Sequence, residues 1–253
     1  MKYLKLFEGY QTESEVAEIC KKYDIENWSL NSDGLVDVNG GVILHNEHLE
    51  KLPLKFGTVT GNFNCNDNQL TSLVGAPHTV GGSFNCARNK LISLKGAPHT
   101  VGGSFDCPRN KLISLEGAPK SVGGYFDCNF NVLKTLEGAP HTVGANFRCE
   151  YNQLTSLEGS PKVTGGFYCR GNNIRSFEGL NISGDLRCQN NPLYPIWIII
   201  SPGTNKWDSE KMEFFNDLDI IRGYEIAIER FNFFLEEIGL DPVEYVEGYK
   251  NIY

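Results

Sequence analysis

Seven cysteines, Cys65, Cys86, Cys107, Cys128, Cys149, Cys169 and Cys188, follow one another at intervals of 21, 21, 21, 21, 20 and 19 residues. A fixed period of this size builds a solenoid, in which each unit buries its apolar face only by stacking on its neighbours. One unit reads Val80, Gly81, Gly82, Phe84, Cys86, Asn89, Leu91, Ser93, Leu94, Gly96 and Pro98, and the others repeat it with small changes. The Phe-x-Cys alternation predicts a short strand. Its period of two sends Phe84 and Cys86 to one face and Ser83, Asn85 and Ala87 to the other. The first face is core and the second is open.

Each unit then places an Asn where the chain leaves the strand: Asn68, Asn89, Asn110, Asn131, Asn152, Asn172 and Asn191. A buried Asn at such a point can satisfy backbone groups that the turn leaves unpaired, so these seven are expected to form a structural ladder. Leu91 and Leu94 point back inward. The Gly-x-Pro step then closes the coil in a tight irregular return, with about one strand expected per coil.

This unit resembles that of the leucine-rich-repeat family, L-x-x-L-x-L-x-x-N-x-L. Phe, Cys, Asn and Leu take the second, third, Asn and fourth Leu positions; Gly81 stands at the first, and Val80 takes over its packing role. The pattern extends upstream through Val42, Leu44, Leu49, Leu52 and Pro53, so it covers Val42 to Trp197, about eight coils. The G-A-P-x-x-V-G-G and N-P-L-Y-P-I-W segments are similar to those of leucine-rich-repeat proteins encoded by large tailed bacteriophages. The resemblance implies an α/β repeat solenoid with a parallel sheet on its concave face, and it implies that this face binds a partner. If it extends to a phage origin, a host protein is the natural target and the host cytoplasm the place of action.

A solenoid needs its apolar ends covered. Residues 1–41 are read as an N-terminal cap, 42–197 as the repeats and 198–253 as a helical, acidic C-terminal cap. Thr12 and Glu15 have capping-box spacing ahead of Val16, Ile19, Cys20 and Tyr23, which share one side of a helix. Ser29 to Leu30 and Gly34 to Val38 then read as a hairpin through Asn31, Ser32 and Asp33. At the other end, Ile226, Phe231, Phe234, Leu235 and Ile238 make the apolar stripe of a helix stopped by Gly239, and a shorter helix is expected over Ser209 to Leu218.

The net charge is −8 and the sequence pI about 5.2. No general field draws such a chain to nucleic acid or an anionic membrane, so neither is an expected partner. From Pro192 to Tyr253 there are twelve Asp/Glu against five Lys/Arg, which puts the acidity in the C-terminal cap. Met1 to Tyr10 carries no long apolar stretch, and the apolar run from Ile196 to Ile200 is far short of a bilayer span. The expected location is cytoplasmic, with the cysteines reduced.

Hidden chemistry has few places to sit. The cysteine register puts the thiols inside as small hydrophobes, without the C-x-x-C or His partners of a zinc site. His78, His99 and His141 follow the Gly-Ala-Pro step, where Lys120 and Lys162 stand in other coils, and this suits a solvated turn better than a metal shared by His78 and His99. From Pro192 onward there is no His and no Cys, which excludes thiol- and His-based mechanisms there. No catalytic residue, metal or cofactor is expected. One enzymatic alternative rests on Asp106 and Asp127, outward on neighbouring strands, where like charges raise one pKa unless Arg109 or Arg148 cancels the effect.

On the open face, aromatic and arginine side chains gather in the fourth to sixth coils. Tyr125, Phe130, Arg148, Tyr151, Tyr168 and Arg170, with Asp106 and Asp127, are the expected binding residues, because Tyr and Arg combine large buried area with directional hydrogen bonds. A protein partner is the first reading. Carbohydrate recognition is the alternative, since aromatics beside Asn and Asp also suit sugar rings.

Overall fold

The computed structural model describes residues 12–180, 182–203, 208–222 and 225–252; residues 1–11 of the expected N-terminal cap lie outside them. Its body is a stack of coils whose short strands form two parallel ladders. In the first, here the front sheet, eight strands run in order from Val42–Ile43 through Phe63–Asn64, Phe84–Asn85, Phe105–Asp106, Phe126–Asp127, Phe147–Arg148 and Phe167–Tyr168 to Leu186–Arg187. The register pairs Phe with Phe, as in Phe84 with Phe105 and Phe126 with Phe147. Inside, the rings stack at centroid separations of 5.1 to 5.6 Å from Phe63 to Phe167. Each such pair contributes about 0.5–1.5 kcal/mol beyond the area it buries.

The second ladder corrects the expectation of one strand per coil. Thr79–Val80, Thr100–Val101, Ser121–Val122, Thr142–Val143 and Lys162–Val163 pair in parallel as a side sheet, each with its valine buried. The Gly-Gly step is the corner between the two sheets. A Cβ built on Gly102 would run into the carbonyl oxygen of Gly81, and one on Gly123 into that of Gly102, so successive coils approach too closely for any side chain. That contact explains why glycine replaces the first Leu of the repeat.

The Asn ladder ties coil to coil. Asn110 donates its side-chain NH2 to the carbonyls of Cys86 and Cys107 at 3.1 and 3.2 Å and accepts from the Leu91 backbone N–H at 3.0 Å. Asn68, Asn89, Asn131, Asn152, Asn172 and Asn191 repeat this arrangement, and all seven are buried. The eight cysteines are free and buried, and burial pushes every thiol of the repeat ladder up from its ordinary value.

Helix α1 (Glu13–Lys22) opens with the Thr12/Glu15 capping box and buries Val16 and Cys20 against the first coil. The hairpin follows as Trp28–Leu30 antiparallel to Val36–Val38, and Val36–Val38 in turn pairs with Phe56–Val59, so it closes the edge of the side sheet.

At the far end, α2 (Tyr194–Ile200) begins inside the segment expected to be repeat, with Pro195 in its first turn. It is followed by α3 (Ser209–Asp217) and α4 (Ile228–Glu237). Phe215 of α3 meets Phe177 of the repeats at 5.7 Å and Phe234 of α4 at 5.1 Å, which is how the cap seals the stack. The cap is not helical throughout. Ile226 lies in the strand Glu225–Ala227, which pairs with Ile221–Arg222 and Lys250–Ile252, and not on the helical stripe with Phe231, Phe234 and Leu235. Its β-branched side chain is buried between strand neighbours, and tertiary pairing outweighs the helical spacing. No helix among the described residues is long and apolar enough to cross a membrane.

Candidate functional site

Because the inward positions of the front sheet are filled by Phe and Cys, its outward positions are free to vary. Pairing aligns Asn64, Asn85, Asp106, Asp127, Arg148, Tyr168 and Arg187 in one row across the strands. The row runs from amides through carboxylates to arginines and a tyrosine. It holds four of the expected site residues in consecutive coils.

Asp106 and Asp127 sit side by side at the centre. The Tyr125 hydroxyl donates to Asp106 Oδ2 at 3.0 Å. Asp127 Oδ1 accepts from the Asn129 backbone N–H at 2.9 Å, and its Oδ2 lies 4.0 Å from the Arg148 guanidinium. Burial raises both carboxyls, Asp106 from 3.8 to about 6. The Tyr125 bond and Arg148 pull Asp106 back, while the Asp127 charge pushes it further up. The expected cancellation by arginine therefore fails at Asp106, because loss of water outweighs a guanidinium that Asp127 shares. Arg109 is no help, since it covers the Phe130 ring at 4.4 Å.

Two aromatic–arginine stacks flank this centre. In the row, Arg148 faces the rings of Tyr125 at 5.1 Å and Tyr168 at 6.0 Å, and Arg187 covers Tyr168 at 4.7 Å. Along the edge of the face, Arg109, Phe130, Tyr151 and Arg170 form a second stack, with the two rings 4.6 Å apart and nearly parallel at 13°, and Arg170 at 5.8 Å from Tyr151. All eight expected residues thus belong to two neighbouring clusters. Arg109 and Arg187, which sequence reasoning left out of the site, complete them. Their register was visible from the repeat, but which ring each covers was not.

Phe130 and Tyr151 adopt left-handed backbone, both at φ 54. The equivalent positions of the other coils, Asp67, Arg88, Arg109, Gly171 and Asn190, are left-handed as well, and Phe130 and Tyr151 are the aromatic residues among them. A bulky residue there costs of order 1–3 kcal/mol and persists only when something holds it. Here the stack does, and it keeps both rings about 40% exposed at the surface.

Other sequence candidates separate from this face. His78 and His99 stack at 5.9 Å on exposed turns, and among the described residues no three His, Cys, Asp or Glu come together as a group able to hold a metal.

The comparisons with known proteins agree with this architecture. No protein-family profile matches the chain, and no curated protein matches it in sequence. Among solved structures, the leucine-rich-repeat domain of a Shigella effector is similar, with a TM-score of 0.53 and 22% identity over 76% of this chain and 86% of that one. At that identity the likeness shows the leucine-rich-repeat fold and assigns no residue a role.

Proposed function

We propose that this leucine-rich-repeat solenoid is a non-catalytic interaction module that holds a protein partner on the open face of its front sheet. The observation that carries this reading is the pair of interlocked stacks. Large rings and guanidinium planes, fixed in place by one another, present contact area whose ordering cost is met before a partner arrives. Tyr and Arg so held are the side chains that dominate binding energy at protein interfaces. The left-handed backbone at Phe130 and Tyr151 adds to the case, because an aromatic ring there carries a backbone cost that Gly171 and Asn190 avoid at the equivalent positions.

A protein fits this surface better than a sugar. Sugar rings stack on open aromatic faces, whereas Tyr125, Phe130, Tyr151 and Tyr168 each have an arginine over the ring. The similarity of the repeat to phage-encoded proteins makes a host protein in the cytoplasm the natural target. The test compares wild type with a Tyr125→Ser/Tyr151→Ser/Tyr168→Ser variant of unchanged circular dichroism. Quantitative mass spectrometry of what each retains from host lysate should show a protein held by wild type and depleted on the variant. Equal retention of every captured protein contradicts the proposal.

A further inference from the structure

A second surface lies on the ridge that follows the Asn ladder. There the backbone stacks Lys90, Lys111 and Val132 on successive coils, through N–H bonds to Leu70, Leu91 and Leu112. Two residues further on, Ile92, Ile113 and Lys134 form the adjoining row. Ile92 is 60% exposed and Ile113 65%, a degree of exposure that nothing in the repeat requires, since Thr71 and Thr155 hold the same position in other coils. Neither Lys111 nor Lys134 has an ion-pair partner among the described residues. Of the acids three residues beyond this row, Glu116 pairs with Lys95 at 3.2 Å, and Glu137 has no ion-pair partner among the described residues. An aliphatic strip rimmed by lysines is thus set into a chain of net charge −8.

The complement of that ridge is in the same molecule. On α4, Glu229, Phe233, Glu236 and Glu237 fall at spacings that place them on one side of the helix, and all four are exposed, Phe233 by 49%. The neighbouring Arg230 is turned to the Asp219 carboxylate at 3.5 Å and does not neutralise the stripe. An apolar centre flanked by carboxylates therefore faces outward at the C-terminal end, and an apolar centre flanked by ammonium groups lies on the third to fifth coils. Several coils separate them, so the two cannot meet within one chain.

The geometry points to head-to-tail association of the chain with further copies of itself, the acidic Phe233 stripe of one copy seated on the Ile92–Ile113 ridge of the next. Two different patches on one chain make a heterologous contact, which builds rings or open strings and not a two-fold dimer. The front sheet is left uncovered by this contact, so association and partner binding on that face fail or succeed independently.

Sedimentation velocity tests it with two variants that alter exposed charges alone: Lys111→Glu/Lys134→Glu on the ridge and Glu236→Lys/Glu237→Lys on the cap. Wild type should sediment faster as concentration rises at low salt, and this should disappear near about 1 M salt, where screening is complete within about 3 Å. Each variant alone should remain monomeric, because both of its patches then carry the same sign. An equimolar mixture should associate again, since each variant's altered patch now meets an opposite charge on the other. A wild type that stays monomeric at every concentration overturns the proposal. So do variants that associate like wild type, or a mixture that stays monomeric while wild type associates.

Discussion

Tyr125 reaches across to the neighbouring strand and donates its hydroxyl hydrogen to Asp106 Oδ2 at 3.0 Å, holding this half-buried carboxylate in the front sheet. The bond favours the charged form, yet burial has the larger effect, and the carboxyl stands at about 6 in place of 3.8. Between about pH 4 and about pH 6 the folded protein therefore holds a proton on Asp106 that the unfolded chain has released. Stability from this group is present at low pH and is lost as pH rises from about 4 to about 6. Urea unfolding midpoints measured across that window should fall more steeply with pH for wild type than for Asp106→Asn, which has nothing to titrate. Parallel curves would show that Asp106 titrates normally.

Asn131 shows the same dependence of the fold on a single side chain. It donates to the carbonyls of Cys107, Cys128 and Asn129 and accepts from the Leu112 N–H at 3.0 Å. Replacing it with Ala leaves buried backbone groups unpaired, at about 1–3 kcal/mol each, so Asn131→Ala should lose about 3 kcal/mol or more in urea denaturation. Asn129→Ala, at a half-buried position two residues away whose amide is bonded to Glu150 at 2.6 and 3.3 Å, should lose less, about 1 kcal/mol.

Phe130 reverses the usual relation between contact and stability. Relief of its left-handed backbone offsets the loss of its stack with Arg109 and Tyr151, so Phe130→Asn should unfold within about 1 kcal/mol of wild type. Partner retention should nevertheless fall by about tenfold, the loss of one modest hot spot. A variant that both unfolds early and binds normally would assign the ring to the fold alone.

Where the repeat dictates geometry, the sequence was readable. The interval between cysteines, the Phe-x-Cys alternation and the recurring Asn place core, sheet and ladder without reference to any contact. The side sheet was not legible, because Thr79–Val80 and its equivalents offer a single buried residue, the valine, whereas each front strand is marked by the Phe-x-Cys pair. Helix α2 was hidden for a similar reason, its seven residues reading as an apolar run with Pro195 inside. Ile226 carried helical spacing but belongs to a strand whose partner, Lys250–Ile252, lies far along the chain. The members of the candidate site could be named from their outward register. Their pairing could not, since it depends on which way each arginine turns. Arg148 divides itself between Asp127, Tyr125 and Tyr168, and Arg109 abandons the carboxylates for Phe130.

The most direct measurement places a photo-crosslinking amino acid at Tyr168, between Arg148 and Arg187 on the front sheet, and separately at Thr142 on the outer side of the side sheet. Irradiation of cells that express each variant should yield one discrete protein adduct from position 168 and none from position 142. The same adducts from both positions, or none from 168 while the protein remains folded, would contradict a partner held on the front face.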